Sequence, residues 1–294
     1  MRHESNDQIS YGAVRGVAGA EALAARRLRL TFDRHFHDTY AFGLVLAGVE
    51  RCRTGAHLNF FGPGSVPLFN PGDVHDGGPA TADGWSYRML YLEPGLVADL
   101  LADPGGAEPV FARHARGDEP ARRRVRAVFD AIDCGSPLGI EASLRLALET
   151  LFDLRAGERP STTRAPRLER VRERVAQECC RPLRLRDLCG EAALSPSALL
   201  RSFERAFGLS PHRYQQSCRA AIARRLIAAG MPLAAVAVEC GYADQSHLNR
   251  WFLRVHGVTP GRFRRQLVRG ASGDGAISSK TGRPARRRLA GATR

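Results

Sequence analysis

Apolar residues along this chain change period once, near residue 93. From about Leu28 to Leu92 they fall in short runs, giving the candidate strands Arg27–Phe32, Ala41–Ala47, His57–Phe61, Ser65–Phe69 and Trp85–Leu92. Gly48, Gly55, Gly62-Pro63-Gly64, Pro71-Gly72 and Gly77-Gly78-Pro79 punctuate them. Short, evenly spaced strands between Gly/Pro turns predict a small antiparallel barrel or sandwich. Residues 1–26 are weakly patterned and predict a loose arm with an opening strand. From Pro94 the spacing becomes helical, over Pro94–Ala102, Glu119–Cys134 and Leu138–Ala156. The last carries Leu144, Leu148, Leu151 and Phe152 on one face, which suits packing on the strands or pairing two subunits.

The polar, Pro-rich stretch Glu158–Pro166 (ERPSTTRAP) predicts a linker. Beyond it Arg167–Cys180 predicts a helix, followed by one pattern written twice. Shifted by 49 positions, Ser195–Tyr214 falls on Asp244–Phe263. Leu199, Arg201, Phe203, Arg205, Gly208, Pro211 and Arg213 meet Leu248, Arg250, Phe252, Arg254, Gly257, Pro260 and Arg262. With Ser197 on Ser246 these make eight identities without a gap, which mark one structural unit used twice. Ser195 and Asp244 suit N-caps, because their oxygens accept from free backbone N–H groups. Gly208 and Gly257 suit left-handed helix stops. A shorter helix precedes each unit, at Leu185–Ala192 and Leu233–Glu239. Short helix, turn and capped second helix make a helix-turn-helix, whose second helix enters the DNA major groove. Between the units, Pro211–Ala229 predicts one long helix with Tyr214, Cys218, Ile222 and Leu226 along one face. It would hold two reading heads at a fixed separation.

Charge supports a polyanion partner for one half only. Residues 1–160 hold 18 Arg against 21 Asp/Glu, a net −3, whereas residues 161–294 hold 26 Lys/Arg against 9 Asp/Glu, a net +17. Arg matches the two acceptors of guanine, and Asn or Gln the donor–acceptor pair of adenine. The seven cysteines show no C-x-x-C pair, and reduced thiols are expected. The polar N-terminus resembles no signal peptide, and the apolar run Leu226–Val238 is too short for a bilayer. No membrane association is expected, and the protein should be cytoplasmic, at the nucleoid.

The stretch LSPSALLRSFERAFGLSPHRY…CGYADQSHLNRWFLRVHGVTPGRFR resembles the DNA-binding domain of the AraC/XylS family of bacterial transcription regulators. The resemblance covers roughly residues 167–268. It implies base contacts by Ser197, Arg201, Gln245, Ser246, Asn249 and Arg250, with two recognition helices in adjacent major grooves. Leu200 departs from the pattern, being apolar where a polar residue is common. Residues 25–95, with His35-Phe36-His37 and Gly64 through Pro71-Gly72-Asp73-Val74-His75, resemble the cupin barrel this family often carries at its N-terminus. Metal-binding cupins add a Glu to three such histidines, but here Tyr40, Ala41 and Phe42 occupy that region. The three histidines thus admit three readings: metal ligands with one open position, polar anchors of a small-molecule pocket, or strand-end residues without a ligand role. The missing carboxylate turns the expectation to a small-molecule effector, anchored among His35, His37, Tyr40, His75 and Arg88, with no metal and no cofactor.

The chain is therefore expected to be an α+β protein of two domains. Residues 1–157 would form the cupin-like effector-binding and dimerisation domain, and 158–166 the linker. Residues 167–268 would form the all-α reader, and 269–294 a basic disordered tail that includes Arg286-Arg287-Arg288. Its expected partners are double-stranded promoter DNA, an effector, a second copy of itself and, by family resemblance, RNA polymerase. Activation is the family's usual mode, and no catalytic residue is expected. Two rivals remain open: a cupin metal-dependent oxygenase or isomerase tethered to DNA, disfavoured by the missing carboxylate, and a nonspecific nucleoid binder, disfavoured by two distinct reading faces.

Overall fold

The computed structural model describes residues 8–55, 57–102, 108–152 and 165–271. The expected linker up to residue 164, the tail from residue 272 and the first seven residues lie outside them. The N-terminal half runs β1 (Gln8–Ala13), β2 (Ala20–Leu28), β3 (Phe32–His35), β4 (Tyr40–Ala47), β5 (Glu50–Thr54), β6 (His57–Phe61), β7 (Val66–Phe69), β8 (His75–Pro79), β9 (Trp85–Leu92), α1 (Pro94–Leu101), β10 (Ala115–Arg116), α2 (Glu119–Cys134) and α3 (Pro137–Leu151). The C-terminal half is helical: α4 (Pro166–Gln177), α5 (Leu185–Ala192), α6 (Pro196–Phe207), α7 (Pro211–Ala228), α8 (Leu233–Glu239), α9 (Gln245–His256) and α10 (Pro260–Ala271). The two-part α+β architecture is the expected one.

The strands form two antiparallel sheets, β1-β2-β9-β4-β7-β10 and β3-β8-β5-β6. They face each other without closing into one barrel, so the expected barrel is an open two-sheet arrangement. Parity along β4 and β9 shows how the larger sheet is buried on both sides. Ala41, Val45, Trp85, Tyr87 and Met89 face the smaller sheet. Tyr40, Phe42, Leu44, Leu90 and Leu92 face a second core built from α1, α2 and α3. Successive side chains of a strand point to opposite faces, so both sets are apolar and the runs read as continuous. The expected strand Arg27–Phe32 is instead the passage from β2 to β3, turned at Arg27 with φ 46°.

Among the described residues, no helix is long and apolar enough to cross a membrane. The reader is not a free-standing bundle. The core of the second helix-turn-helix (Ile227, Val236, Leu248, Phe252, Phe263) is continuous with that between the sheets (Ile9, Tyr11, Leu23, Phe32). The core of the first (Val171, Leu188, Leu199, Phe203, Tyr214) includes Phe36 from the sheet half.

Candidate DNA-reading surface and the chamber behind it

Each recognition helix begins at a side-chain cap and ends at a left-handed glycine. Ser195 Oγ accepts from Ala198 N at 3.4 Å, and Asp244 Oδ1 accepts from His247 N at 2.7 Å. Gly208 and Gly257 stop the helices at φ 76° and 69°. The apolar faces are buried through Leu199, Phe203 and Phe207 in α6 and Leu248, Phe252 and Val255 in α9. This leaves Ser197, Arg201, Gln245, Ser246 and Arg250 exposed and Asn249 half-buried. Among the described residues none of the six has a hydrogen-bond or ion-pair partner. Leu200, 38% exposed, stands beside Arg201. Polar side chains with free donors on two capped helices can engage base edges and phosphates.

The long helix α7 fixes the spacing of the two heads more firmly than a one-sided stripe could. It is buried on nearly every side, with Gln215, Gln216, Arg219 and Arg224 inside. Arg219 donates from Nε to Cys179 O at 2.6 Å and from its guanidinium to Gly241 O at 2.7 Å. One side chain thereby ties the end of α4 to the turn before α9. Gln215 adds donations to Cys179 O and Arg181 O at 2.9 and 3.0 Å.

Behind α9 lies a cavity of about 40 Å³ between the sheets. His35, His37, His75, Glu50, Asp76, Tyr87 and Tyr91 line it, and Val255 of α9 closes it. Each of the three histidines places Nδ1 against a backbone carbonyl: His35 on Asp33 O at 2.7 Å, His37 on Thr39 O at 3.2 Å, His75 on Asp73 O at 2.8 Å. One ring nitrogen from each lies within 4.8 Å of the others. Burial holds all three below the ordinary imidazole range, His37 and His75 well below it. A buried imidazolium would lose its hydration, and for His35 the nearby Asp33 and Asp76 charges offset that loss only in part. Burial also pushes the Glu50 carboxyl up to about 8, with the neighbouring charge of Asp76 adding to it.

The contact between chamber and reader is polar as well as apolar. Arg224 of α7 donates to Glu21 Oε2 from Nε at 3.1 Å and from its terminal nitrogen at 2.5 Å, with its guanidinium 4.5 Å over the Tyr91 ring. Tyr11 donates to His256 O at 2.9 Å, and Arg262 and Gln266 donate to Ile9 O at 3.0 and 2.9 Å. Both glycines that end the recognition helices abut the sheet half. A Cβ on Gly257 would lie 2.6 Å from Ile9 Cδ1, and one on Gly208 would lie 3.2 Å from Val74 Cγ1.

Of the residues expected to anchor an effector, His35, His37 and His75 meet in the chamber, and Tyr40 and Arg88 stand on the other face of the larger sheet. Tyr40 donates to Pro109 O at 2.7 Å. Arg88 makes a forked pair with Asp133, both contacts 2.8 Å, over the Phe129 ring. Sequence reasoning missed Glu21, Phe36, Glu50, Arg219 and Arg224. Phe36 carried a usable signal: in an extended segment His35 and His37 share one face and Phe36 must take the other. Glu21 and Arg224 carried none, since each gains its partner from 203 residues away.

Comparison with known proteins adds the family. Residues 17–148 match the model of the AraC-like ligand binding domain, and residues 188–266 match a helix-turn-helix domain. The HTH-type transcriptional regulator YbfI of Bacillus subtilis is 25% identical over 234 residues, covering 78% of this chain and 85% of its own. The arabinose operon regulatory protein of Salmonella typhimurium is 27% identical over 238 residues, covering 76% and 83%. The crystal structure of ToxT from Vibrio cholerae O395 superposes with a TM-score of 0.55 over 85% of this chain and 98% of that one, at 13% identity. That likeness is one of fold.

Proposed function

The chain belongs to the AraC family of transcription regulators, with a ligand-binding half and a DNA-binding half, and on that premise we propose that it reads one promoter sequence with two heads. Ser197 and Arg201 of α6 contact bases in one major groove, and Gln245, Ser246, Asn249 and Arg250 of α9 contact them in the next. The observation that carries this is the pairing of two capped helices whose outward polar groups have no partner among the described residues. Arg219 supports it, because a fixed spacing is needed to meet grooves about 34 Å apart on one DNA face. Ligand state acts through the chamber, since α9 is both a wall of that chamber and a reading helix.

The proposed division is an effector and dimerisation domain over residues 1–157, a linker over 158–166, a reader over 167–268 and a basic tail over 269–294. The protein acts at the nucleoid as an activator that contacts RNA polymerase, and as a regulator rather than a catalyst. Leu138, 79% exposed on α3, and Leu146 support pairing of two copies there.

Competition between promoter fragments and random duplex at fixed salt tests the reading. A specific site should be preferred by about 10³ or more. Equal competition by random DNA would leave a nonspecific binder.

A further inference from the structure

We propose that Cys179 is a modification site for small hydroperoxides, and that the thiol of Cys218 then captures the oxidised sulfur as an intramolecular disulfide. The site belongs to the reader and not to the chamber, and only its link to DNA rests on the regulator reading.

Four free cysteines from three segments gather between the heads. Cys179 and Cys180 follow α4, Cys218 lies on α7, and Cys240 ends α8. Cys179 Sγ is 3.9 Å from Cys180 Sγ and accepts a hydrogen bond from the Cys218 thiol. Cys218 packs on the core of the first helix-turn-helix, and Cys240 belongs to that of the second.

Geometry and charge give each thiol its part. The hydrogen bond from Cys218 holds the Cys179 thiol below its ordinary range, outweighing burial, and Cys180 and the Arg219 charge add to the effect. The other three thiols are pushed up, Cys218 first by its hydrogen bond to Cys179, Cys180 and Cys240 first by burial. The thiolate is the attacking form, so Cys179 is the nucleophile and Cys218 the partner that keeps its proton. Cys180 is adjacent in sequence but badly placed to pair. Neighbouring Cα atoms stand about 3.8 Å apart, short of the roughly 4.4–6.8 Å that disulfides span. Cys179 is buried but touches the half-buried Cys180 and Cys218, so a small hydroperoxide needs only a local opening to reach it.

In the first step the Cys179 sulfur attacks the terminal peroxide oxygen. An S–O bond forms, the O–O bond breaks, and the departing oxygen takes a proton from water. In the second, the Cys218 sulfur attacks the sulfenic acid. The S–S bond forms, the S–O bond breaks, and the hydroxyl leaves as water with the Cys218 proton. Two thiols lose two electrons, and the hydroperoxide is reduced to an alcohol and water.

The new bond closes on the joint that spaces the heads. Arg219 ties Cys179 O to Gly241 O in the turn before α9, and a Cβ on Gly241 would lie 2.1 Å from Cys180 O. Drawing Cys179 to about 2.05 Å from Cys218, sulfur to sulfur, shifts that carbonyl and the turn it steadies. Oxidation thereby weakens two-headed binding.

The test treats full-length protein with a slight excess of hydrogen peroxide, then alkylates and digests it with trypsin. Two of the seven thiols should be lost, with residues 175–184 linked to residues 214–219 and fragmentation placing the bond on Cys179. Cys179→Ser and Cys218→Ser should each abolish the link. Cys180→Ser should keep it, as should Cys134→Ser at an exposed site. Promoter affinity should fall by about 5–150-fold on oxidation and return with dithiothreitol. Thermal melts establish that the variants fold, and the wild-type peptide map decides the matter if they do not. Survival of all seven thiols, oxidation that ends at a sulfinic acid on Cys179, or a link between any other pair overturns the site. A link that leaves promoter affinity unchanged overturns its coupling to the heads. The map needs no DNA, so a link without promoter specificity supports the site and removes the regulator reading alone.

Discussion

The rings of Phe36 and Tyr214 lie 4.7 Å apart, although one residue comes from the sheet half and the other from the long helix of the reader. Phe36 is flanked by His35 and His37, which face the chamber, and it also helps fill the core shared by Leu199, Phe203 and Phe207. The histidine chamber and the core of the first helix-turn-helix thus meet within three consecutive residues.

Phe36→Ala should therefore destabilise the reader from outside it. Removing a buried phenyl ring costs about 3–5 kcal/mol when the site cannot collapse. Urea denaturation should show the first helix-turn-helix unfolding earlier, and Phe36→Leu should recover most of the loss. A cost below about 1 kcal/mol would mean that the two halves barely lean on each other here.

Gly257→Ala and Gly135→Ala separate backbone strain from domain contact. Both glycines end helices in the left-handed region, at φ 69° and 71°, where an alanine costs about 1–2 kcal/mol. A Cβ at Gly135 meets nothing within 4 Å, but at Gly257 it meets Ile9 Cδ1 at 2.6 Å and Phe32 Cε1 at 2.9 Å. Overpacking should add about 1–3 kcal/mol at Gly257 alone. Equal losses in thermal melts would contradict the close docking of α9.

Glu50 makes stability depend on pH in a defined sense. Its folded carboxyl titrates at about 8, above the unfolded value of 4.5. Between those values the folded state holds a proton that the unfolded state has lost, so raising the pH favours unfolding. Full stability persists below about pH 4.5 and falls up to about pH 8, by at most about 1.4 kcal/mol per unit. Partial exposure of Glu50 reduces that figure. Glu50→Gln should match the wild type at pH 5 and exceed it in Tm at pH 8. Parallel melting curves for the two proteins from pH 5 to 9 would sink this account of the carboxyl.

The helices of the reader were legible because caps, period and stops agree within each one. Leu185–Ala192 and Leu233–Glu239 coincide with α5 and α8. The strands were less so. The β2 sequence AEALAARRL is alanine-rich and lacks a strand signal; its small side chains sit beside the large Tyr87, Met89, Leu90 and Leu92 of the neighbouring β9. The β8 sequence HDGGP reads as a turn, yet Gly77 and Gly78 lie where Glu50 and Thr31 leave little room for a side chain. On α7, only Tyr214 of the expected stripe is buried and Cys218, Ile222 and Leu226 are half-buried, whereas Gln215, Gln216, Arg219 and Arg224 beside them are buried. Polar identity hides burial when the partner, such as Glu21 for Arg224, lies far away in sequence. For the chamber, three histidines announced themselves by type. Tyr40 and Arg88 required the strand register, because one step along β4 or β9 exchanges the chamber face for the helix-covered face.

Selection of bound DNA from a random pool tests two-headed reading most directly, run on the wild type, Arg201→Ala and Arg250→Ala at near-physiological salt. The wild type should enrich two sequence blocks with centres about one helical turn apart. Arg201→Ala should blur one block and Arg250→Ala the other, each at a cost of about 1–3 kcal/mol on the intact site. Enrichment of no motif by the wild type, or the same two sharp blocks from all three proteins, would contradict the assignment of α6 and α9 as the reading helices.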